Sequence, residues 1–395
     1  MRVNKKYALI TVLLIAYSLA YFHRTMTGVL KEQLDVFASY YNVDKNALIS
    51  VFFAAYFYAY AFTQPFTGLL LDTYGTRRIC SYFLFALSLC TLIMALPSYI
   101  GLIVGRTLIG LFASVVFLAA QRSASLLFGK EGQATITGLL LMIGNVSAAI
   151  GAYPLLLFID KYGFNELIYL LTMVTVIVSI LVYFLSEDPG GKSKGLGIKG
   201  VYHGLGKIVR DKHAWAVALA AASIYSTILA FQSGWGQVYL ESLGLSKYSV
   251  GLYITYLAIL FAVLSPITGY LSDRVVKRRK PFVVTGTILV SLSWLIAYYA
   301  GVTNNVKIMP VFLGVLSLAY SMHIPAPSMA KELYSVDYAA VSISFYNIIL
   351  FSTLAVLLTI SPSYISPLVT CTISSVLGVI GFLMSLIYSK ETYEG

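Results

Sequence analysis

Long apolar stretches alternate with short polar ones along the whole chain. Runs free of Asp, Glu, Lys and Arg recur at 46–71, 132–159, 214–240, 248–272 and 282–306. Each exceeds the roughly 20 residues that a helix needs to cross about 30 Å of hydrocarbon. Two further runs are too long for a single crossing and carry a turn signal near the middle. The run 79–105 breaks at Pro97-Ser98, and the run 338–389 breaks at SPSYISP, residues 361–367. The pattern predicts an all-α membrane protein of twelve transmembrane helices, at 7–30, 46–71, 78–96, 98–121, 134–159, 165–186, 214–240, 248–272, 281–301, 306–328, 338–360 and 366–389.

Composition narrows the class. The chain is 59% hydrophobic and 11% charged, where a soluble domain carries roughly 25% charged residues, so a water-soluble protein is excluded. The net charge of +11 raises nucleic acid as a partner, but the placement of the cations argues against it. With the N-terminus cytoplasmic, 20 of the 27 Lys and Arg residues fall in cytoplasmic segments, five in external loops, and two, Arg24 and Arg106, inside helices. That asymmetry is the positive-inside pattern, and it predicts a multi-pass protein of the plasma (cytoplasmic) membrane with both termini cytoplasmic. The start, MRVNKK before an apolar run, reads as an uncleaved first helix, because no small-x-small cleavage site precedes His23. Cys80, Cys90 and Cys371 all lie in apolar segments and read as small buried hydrophobes. The one Asn-x-Ser match, at Asn145, falls inside helix 5, where glycosylation has no access.

The longest hydrophilic segment, 187–213, is rich in Gly and Lys and divides the chain into halves 1–186 and 214–395. It reads as a cytoplasmic linker, with an amphipathic helix over Val201–Arg210 lying on the membrane. The halves repeat each other. QPFTGLLLDTYGTRR (64–78) aligns with SPITGYLSDRVVKRR (265–279), pairing Pro65 with Pro266, Gly68 with Gly269 and Asp72 with Asp273 at an offset of 201; Asn145 and Asn347 pair at 202.

The stretch Gly68-Leu69-Leu70-Leu71-Asp72-Thr73-Tyr74-Gly75-Thr76-Arg77 resembles the loop between helices 2 and 3 of the major facilitator superfamily, with its second copy between helices 8 and 9. The likeness spans essentially the whole chain. It departs at Thr73 and Thr76, where that family often has basic residues, and at Val276, where the second copy would have Gly. It implies two pseudo-symmetric six-helix bundles and a gating latch built from Gly68, Asp72, Gly75 and Arg77 and from Gly269, Asp273 and Arg274. In it Asp72 meets the N-terminus of helix 11, and Asp273 that of helix 5, where helix dipoles are positive. Ordinary solvated loop charges are the plainer reading of these residues.

Chemistry inside the membrane centres on Arg24 and Arg106. All 16 Asp and Glu residues fall in loops or at helix ends. Two buried cations without a buried anion point to a ligand that brings the negative charge, and a guanidinium fork suits a carboxylate or phosphate. Arg106, in RTLIG, also resembles the family's helix 4 arginine, with Ile109 in place of the usual Gln. That likeness implies the alternative of tying helix 4 to backbone carbonyls of helix 1. Arg24 has its own alternative, snorkelling to the external surface. His23 is a candidate proton carrier, since an imidazole titrates near working pH. Tyr56, Tyr60 and Gln64 share one face of helix 2. On helix 7, FQSGWGQVYL aligns loosely with FHRTMTGVLK of helix 1, setting Gln232 at the place of His23 and adding Trp235 to the candidates. Asn145 and Asn347 must point inward to find partners.

The sequence therefore predicts a secondary active transporter working by alternating access, with a small organic anion as substrate. A proton-coupled drug or metabolite exporter is the rival of the same class. A transport-like sensor or intramembrane enzyme is the rival of another, weakened by the lack of paired catalytic side chains within helices and of any hydrophilic segment longer than 27 residues. No cofactor or metal is implied. The expected partners are the small-molecule substrate, a proton or counter-transported anion, and membrane lipid, around a monomer.

Overall fold

The computed structural model describes residues 3–128, 133–186, 197–360 and 365–393. Among the described residues, twelve helical spans are long and apolar enough to cross a membrane: α1 (Ala8–Tyr41), α2 (Lys45–Leu71), α3 (Thr76–Ile93), α4 (Tyr99–Ser123), α5 (Ala134–Tyr162), α6 (Phe164–Leu185), α7 (Lys212–Ser242), α8 (Lys247–Val275), α9 (Lys280–Thr303), α10 (Val306–Glu332), α11 (Tyr338–Ile360) and α12 (Pro367–Tyr388). Among the described residues there is no strand. Short polar signals set the ends. Asp44, Ser246 and Ser366 accept hydrogen bonds from the first turns of α2, α8 and α12, and Asn42 and Asn304 close α1 and α9 in the left-handed conformation.

One boundary differs plainly from expectation. The first helix does not stop at Lys31 but tightens to 3₁₀ geometry over Met26–Leu30 and runs on to Tyr41. The charges after Leu30 are carried on helix instead of loop, because Lys31 and Glu32 find partners on the other half of the molecule.

Packing repeats with a period of six helices. In the first half α2 lies on α4, α3 on α6 and α1 on α5; in the second α8 lies on α10, α9 on α12 and α7 on α11. Across the halves, α5 runs along α8 and α2 along α11. Each pair maps onto another when six is added to both members, the signature of two pseudo-symmetric bundles. Phe62, Phe184, Val263 and Ile387 project outward, a surface suited to acyl chains and not to water. The chain is thus a multi-pass membrane protein.

The linker helix spans Gly197–Ile208 and does not stand apart. It packs on α11, with Gly204 under the Tyr338 ring and Lys207 over that ring at 5.1 Å. Small residues on one face allow this approach. The remainder of the predicted linker, 187–196, lies outside the described residues.

Candidate functional site

At the centre, where α1, α2, α7 and α11 converge, Arg24 is buried to 3% exposure. Its guanidinium lies 5.1 Å from the ring centroid of Tyr21, 5.0 Å from that of Tyr60 and 5.2 Å from that of Phe351. Nη1 donates to the Tyr225 hydroxyl at 3.0 Å, and Nε is buried without a partner. Arg24 and Tyr225 are 201 residues apart, the offset of the sequence repeat, so pseudo-equivalent positions of α1 and α7 meet here. Among the described residues, no carboxylate lies within 4.0 Å of either central arginine.

A ring of polar groups surrounds this cation. The Tyr21 hydroxyl lies 3.2 Å from that of Tyr320 and accepts from Asn145 Nδ2 at 3.1 Å. Gln232 Nε2 donates to Asn145 Oδ1 at 3.3 Å, and Asn347 Nδ2 to Gln64 Oε1 at 2.7 Å. Each of these amide pairs joins the two halves. The hydroxyls of Tyr17 and Tyr56 are buried without partners, so the centre holds donors in excess.

The candidates do not all gather here. Arg106 gives Nη1 to the carbonyl of His23 and Nη2 to that of Arg24 at 3.2 Å, and lies over the Tyr56 ring at 4.5 Å. Its fork holds α1 at the point where the helix tightens, while its Nε is buried without a partner. Trp235 packs away from Arg24, 5.2 Å from Trp294 and 5.2 Å from Phe231, in an aromatic core inside the second half. The helix widens by one residue over Phe231–Trp235, which turns the indole inward. His23 is fully buried and neither ring nitrogen has a partner, whereas Gln232 bonds Asn145. The two loosely aligned positions thus differ in their hydrogen-bond partners. His323 stacks among Tyr225, Phe261 and Tyr320 at the break that Pro325 makes in α10.

Contacts between the halves close both faces. On the face carrying the termini, Asp273 Oδ2 accepts from the Thr135 amide at 2.8 Å and from its hydroxyl at 2.9 Å, at the first turn of α5. Ser265 Oγ donates to the Gly138 carbonyl, and Ser344 Oγ to the Gln64 carbonyl, both at 3.0 Å. Gly269 is required for this approach, since a Cβ there would lie 2.5 Å from the Ala134 carbonyl oxygen; at Gly68 the nearest atom is Ala340 Cβ at 3.7 Å. The Asp72 side chain lies outside the described residues. Gly75 turns the first copy with φ +84°, a conformation that favours glycine. In the second copy, where Val276 stands, Lys277 takes the positive φ of 51°.

Arg77 lies over the Tyr183 ring at 4.6 Å, within the first half. The ion pair of Asp273 is with Arg279 at 2.7 Å and not with Arg274, whose side chain is exposed. Arg279 also reaches Glu332 at 2.9 Å. Burial alone would lower the Arg279 pKa, but the carboxylates of Glu332 and Asp273 more than offset it, so the net direction is upward. The C-terminal segment adds to this cluster. Glu391 accepts from the backbone amides of Arg279 and Lys280, and the Tyr393 hydroxyl donates to the Asp273 carbonyl at 2.9 Å. Neither residue carries a sequence signal. On the opposite face, Lys31 pairs with Glu241 at 3.0 Å, and Lys247 with Glu32 at 3.0 Å and Asp160 at 3.2 Å.

A sequence profile described as the Major Facilitator Superfamily matches residues 13–360. No curated protein sequence matches the chain. Among solved structures, a crystal structure of a D-xylose-proton symporter is similar, with a TM-score of 0.76, 14% identity and 98% of each chain covered. At that identity the likeness speaks for the fold. The profile, the twelve spans and the six-helix packing period agree, and the chain belongs to the major facilitator superfamily of membrane transporters.

Proposed function

We propose that this transporter carries a small organic anion, and that Arg24 is its charge-matching ligand. The observation that supports this reading is the buried Arg24 guanidinium, set where the halves meet, with no carboxylate among the described residues within reach and Nε unpartnered. A buried cation without an anion is costly, and an incoming carboxylate offsets that cost while filling the open donors of Arg24, Tyr17 and Tyr56. Tyr60, Asn145, Gln232 and Asn347 complete the site in this reading, while Arg106 and Trp235 support it from behind. The halves 1–186 and 214–395 rock about the centre with 187–213 as linker, the face carrying the termini is cytoplasmic, and the membrane is the plasma membrane. Gly68, Asp72, Gly75, Arg77, Gly269, Asp273 and Arg274 belong to the moving cytoplasmic gate. The protein acts as a monomer.

Proton coupling is a compatible second element. The structurally similar protein is a proton symporter, and His23 is a buried imidazole with both nitrogens free of partners. A thermal-stabilisation screen tests the substrate reading. Binding to the folded state raises stability by about 2.7 kcal/mol at a hundredfold excess over Kd. Organic anions should raise Tm in the native protein and not in Arg24→Ala. Stabilisation by cationic drugs or neutral sugars that is equal in both proteins would overturn it.

A further inference from the structure

We infer that the C-terminal segment Lys390–Tyr393 is a strap that steadies the contact between the halves, and that protonation of His213 releases it. Neither depends on the substrate's charge. At the end of α12, Lys280 Nζ donates to the carbonyls of Leu386 and Ser389 at 3.0 and 2.8 Å, groups that a helix end leaves without partners. The chain turns there onto the ends of α7, α8, α9 and α10. The Lys390 amide donates to His213 Nδ1 at 3.0 Å, and Glu391 accepts from the amides of Arg279 and Lys280. Thr392 Oγ1 donates to Glu332 at 2.6 Å, and the Tyr393 hydroxyl to the Asp273 carbonyl at 2.9 Å. Arg279 ties Glu332 to Asp273 Oδ1, while Oδ2 of the same carboxylate accepts from Thr135 of the other half. The strap therefore braces the carboxylate that joins α8 to α5.

His213 sets the condition for docking. Its ring is buried and both nitrogens are engaged, Nε2 at 3.2 Å from the Met329 carbonyl and Nδ1 on the Lys390 amide. A carbonyl only accepts and an amide N–H only donates, so the ring is neutral with its proton on Nε2. A second proton must go on Nδ1, where it meets the Lys390 N–H donor to donor. The charges around the ring are Asp211 before α7, Lys280 on α9 and Lys390 on the strap, while α10 faces it with the Met329 carbonyl. Both oxygens of Asp211 are committed, to the His213 amide and the Tyr334 hydroxyl, so that carboxylate is not free to take the new N–H. Docking thus requires the unprotonated ring. By linkage the ratio of docked to undocked strap falls as pH falls, by at most about tenfold per pH unit.

Pulsed electron resonance on the full chain, with spin labels at the exposed positions Tyr74 and Val275, tests this at about pH 7.5 and about pH 5.5, on either side of a free imidazole's titration. In the native chain the long-distance population should grow roughly threefold or more on acidification. His213→Gln, whose amide offers an oxygen to Lys390 and an N–H to Met329 at either pH, should lose that response. Lys390→Pro removes the amide hydrogen and an exposed side chain, at a place where the extended Ser389 before it (φ −78°, ψ 142°) accepts a following proline. It should show the acid distribution already at the higher pH, with no further change. His23→Gln should respond as the native chain does, which separates the strap from the proton carrier proposed at the centre. A full response retained in His213→Gln, or lost in His23→Gln, would overturn the inference. So would a native distribution in Lys390→Pro at the higher pH, or a native chain that does not respond to acid.

Discussion

Replacing Gly269 by alanine should open the face that carries the termini, and the size of the effect follows from the geometry. The added methyl would sit 2.5 Å from the Ala134 carbonyl oxygen and 2.9 Å from Thr135 Cα, where ordinary contacts begin at 3.4 Å. These neighbours are backbone and cannot swing aside, so α5 and α8 must separate by about 1 Å. That separation breaks the bonds from Thr135 to Asp273, now 2.8 and 2.9 Å long. Hydrogen bonds to a charged group contribute about 1.5–3 kcal/mol each. Losing both costs the closed state about 3 kcal/mol or more, a shift on the order of 100-fold toward the open state. Gly68→Ala is the control, because its nearest neighbours are side-chain atoms at 3.7 and 4.0 Å. Spin labels at Tyr74 and Val275, both exposed and on opposite halves, report the distance by pulsed electron resonance. Gly269→Ala should add a long-distance population that Gly68→Ala lacks. Identical distributions for the two variants, or none shifted, would refute the reasoning.

Four further outcomes are expected. Arg106→Gln should lower thermal stability by about 3 kcal/mol through loss of two charged hydrogen bonds, whereas Arg24→Gln should leave it unchanged or raise it by removing an unpaired buried cation; equal losses in denaturation would contradict the division of labour. Lys247→Gln should loosen the face opposite the termini only slightly, because exposed ion pairs contribute about 0–1 kcal/mol. The effect should vanish in high salt, as read from labels at Tyr162 and Val302. His23→Gln should abolish stimulation of uptake by a proton gradient while preserving counterflow; retained stimulation would exclude His23 as the carrier. Glu391→Ala uncaps the amides of Arg279 and Lys280. The loss of about 1 kcal/mol expected of a helix cap should appear as faster hydrogen exchange at the start of α9.

Much of the fold was legible because lipid leaves the backbone few options. Apolar runs bounded by charges and the Pro-x-x-Gly-x-x-x-Asp repeat read directly as the twelve spans and their six-helix packing period. The extension of α1 to Tyr41 was hidden, since Lys31 and Glu32 look like a loop until Glu241 and Lys247 are placed beside them. Site residues divided in the same way. Arg24, Tyr60, Gln64, Asn145 and Asn347 stood out as polar groups that hydrocarbon cannot tolerate alone. Tyr225, Tyr320 and Phe351 did not, because a chain with 31 tyrosines and 22 phenylalanines gives no local sign of which rings face the centre. The repeat offset held such a sign, since adding 201 to Arg24 gives Tyr225. Arg279 and Glu391 were illegible for another reason. Their roles arise from long-range docking of the C-terminal segment, which leaves no trace in local pattern.

The central claim is that Arg24 matches the charge of an anionic substrate. Counterflow of labelled organic anions, cationic drugs and sugars in proteoliposomes tests it most directly, with native protein beside Arg24→Ala. Saturable exchange of anions that collapses in the variant, while the variant keeps its native thermal stability, is the predicted result. Exchange of cations or neutral solutes at the same rate in both proteins would contradict it and leave Arg24 a structural role.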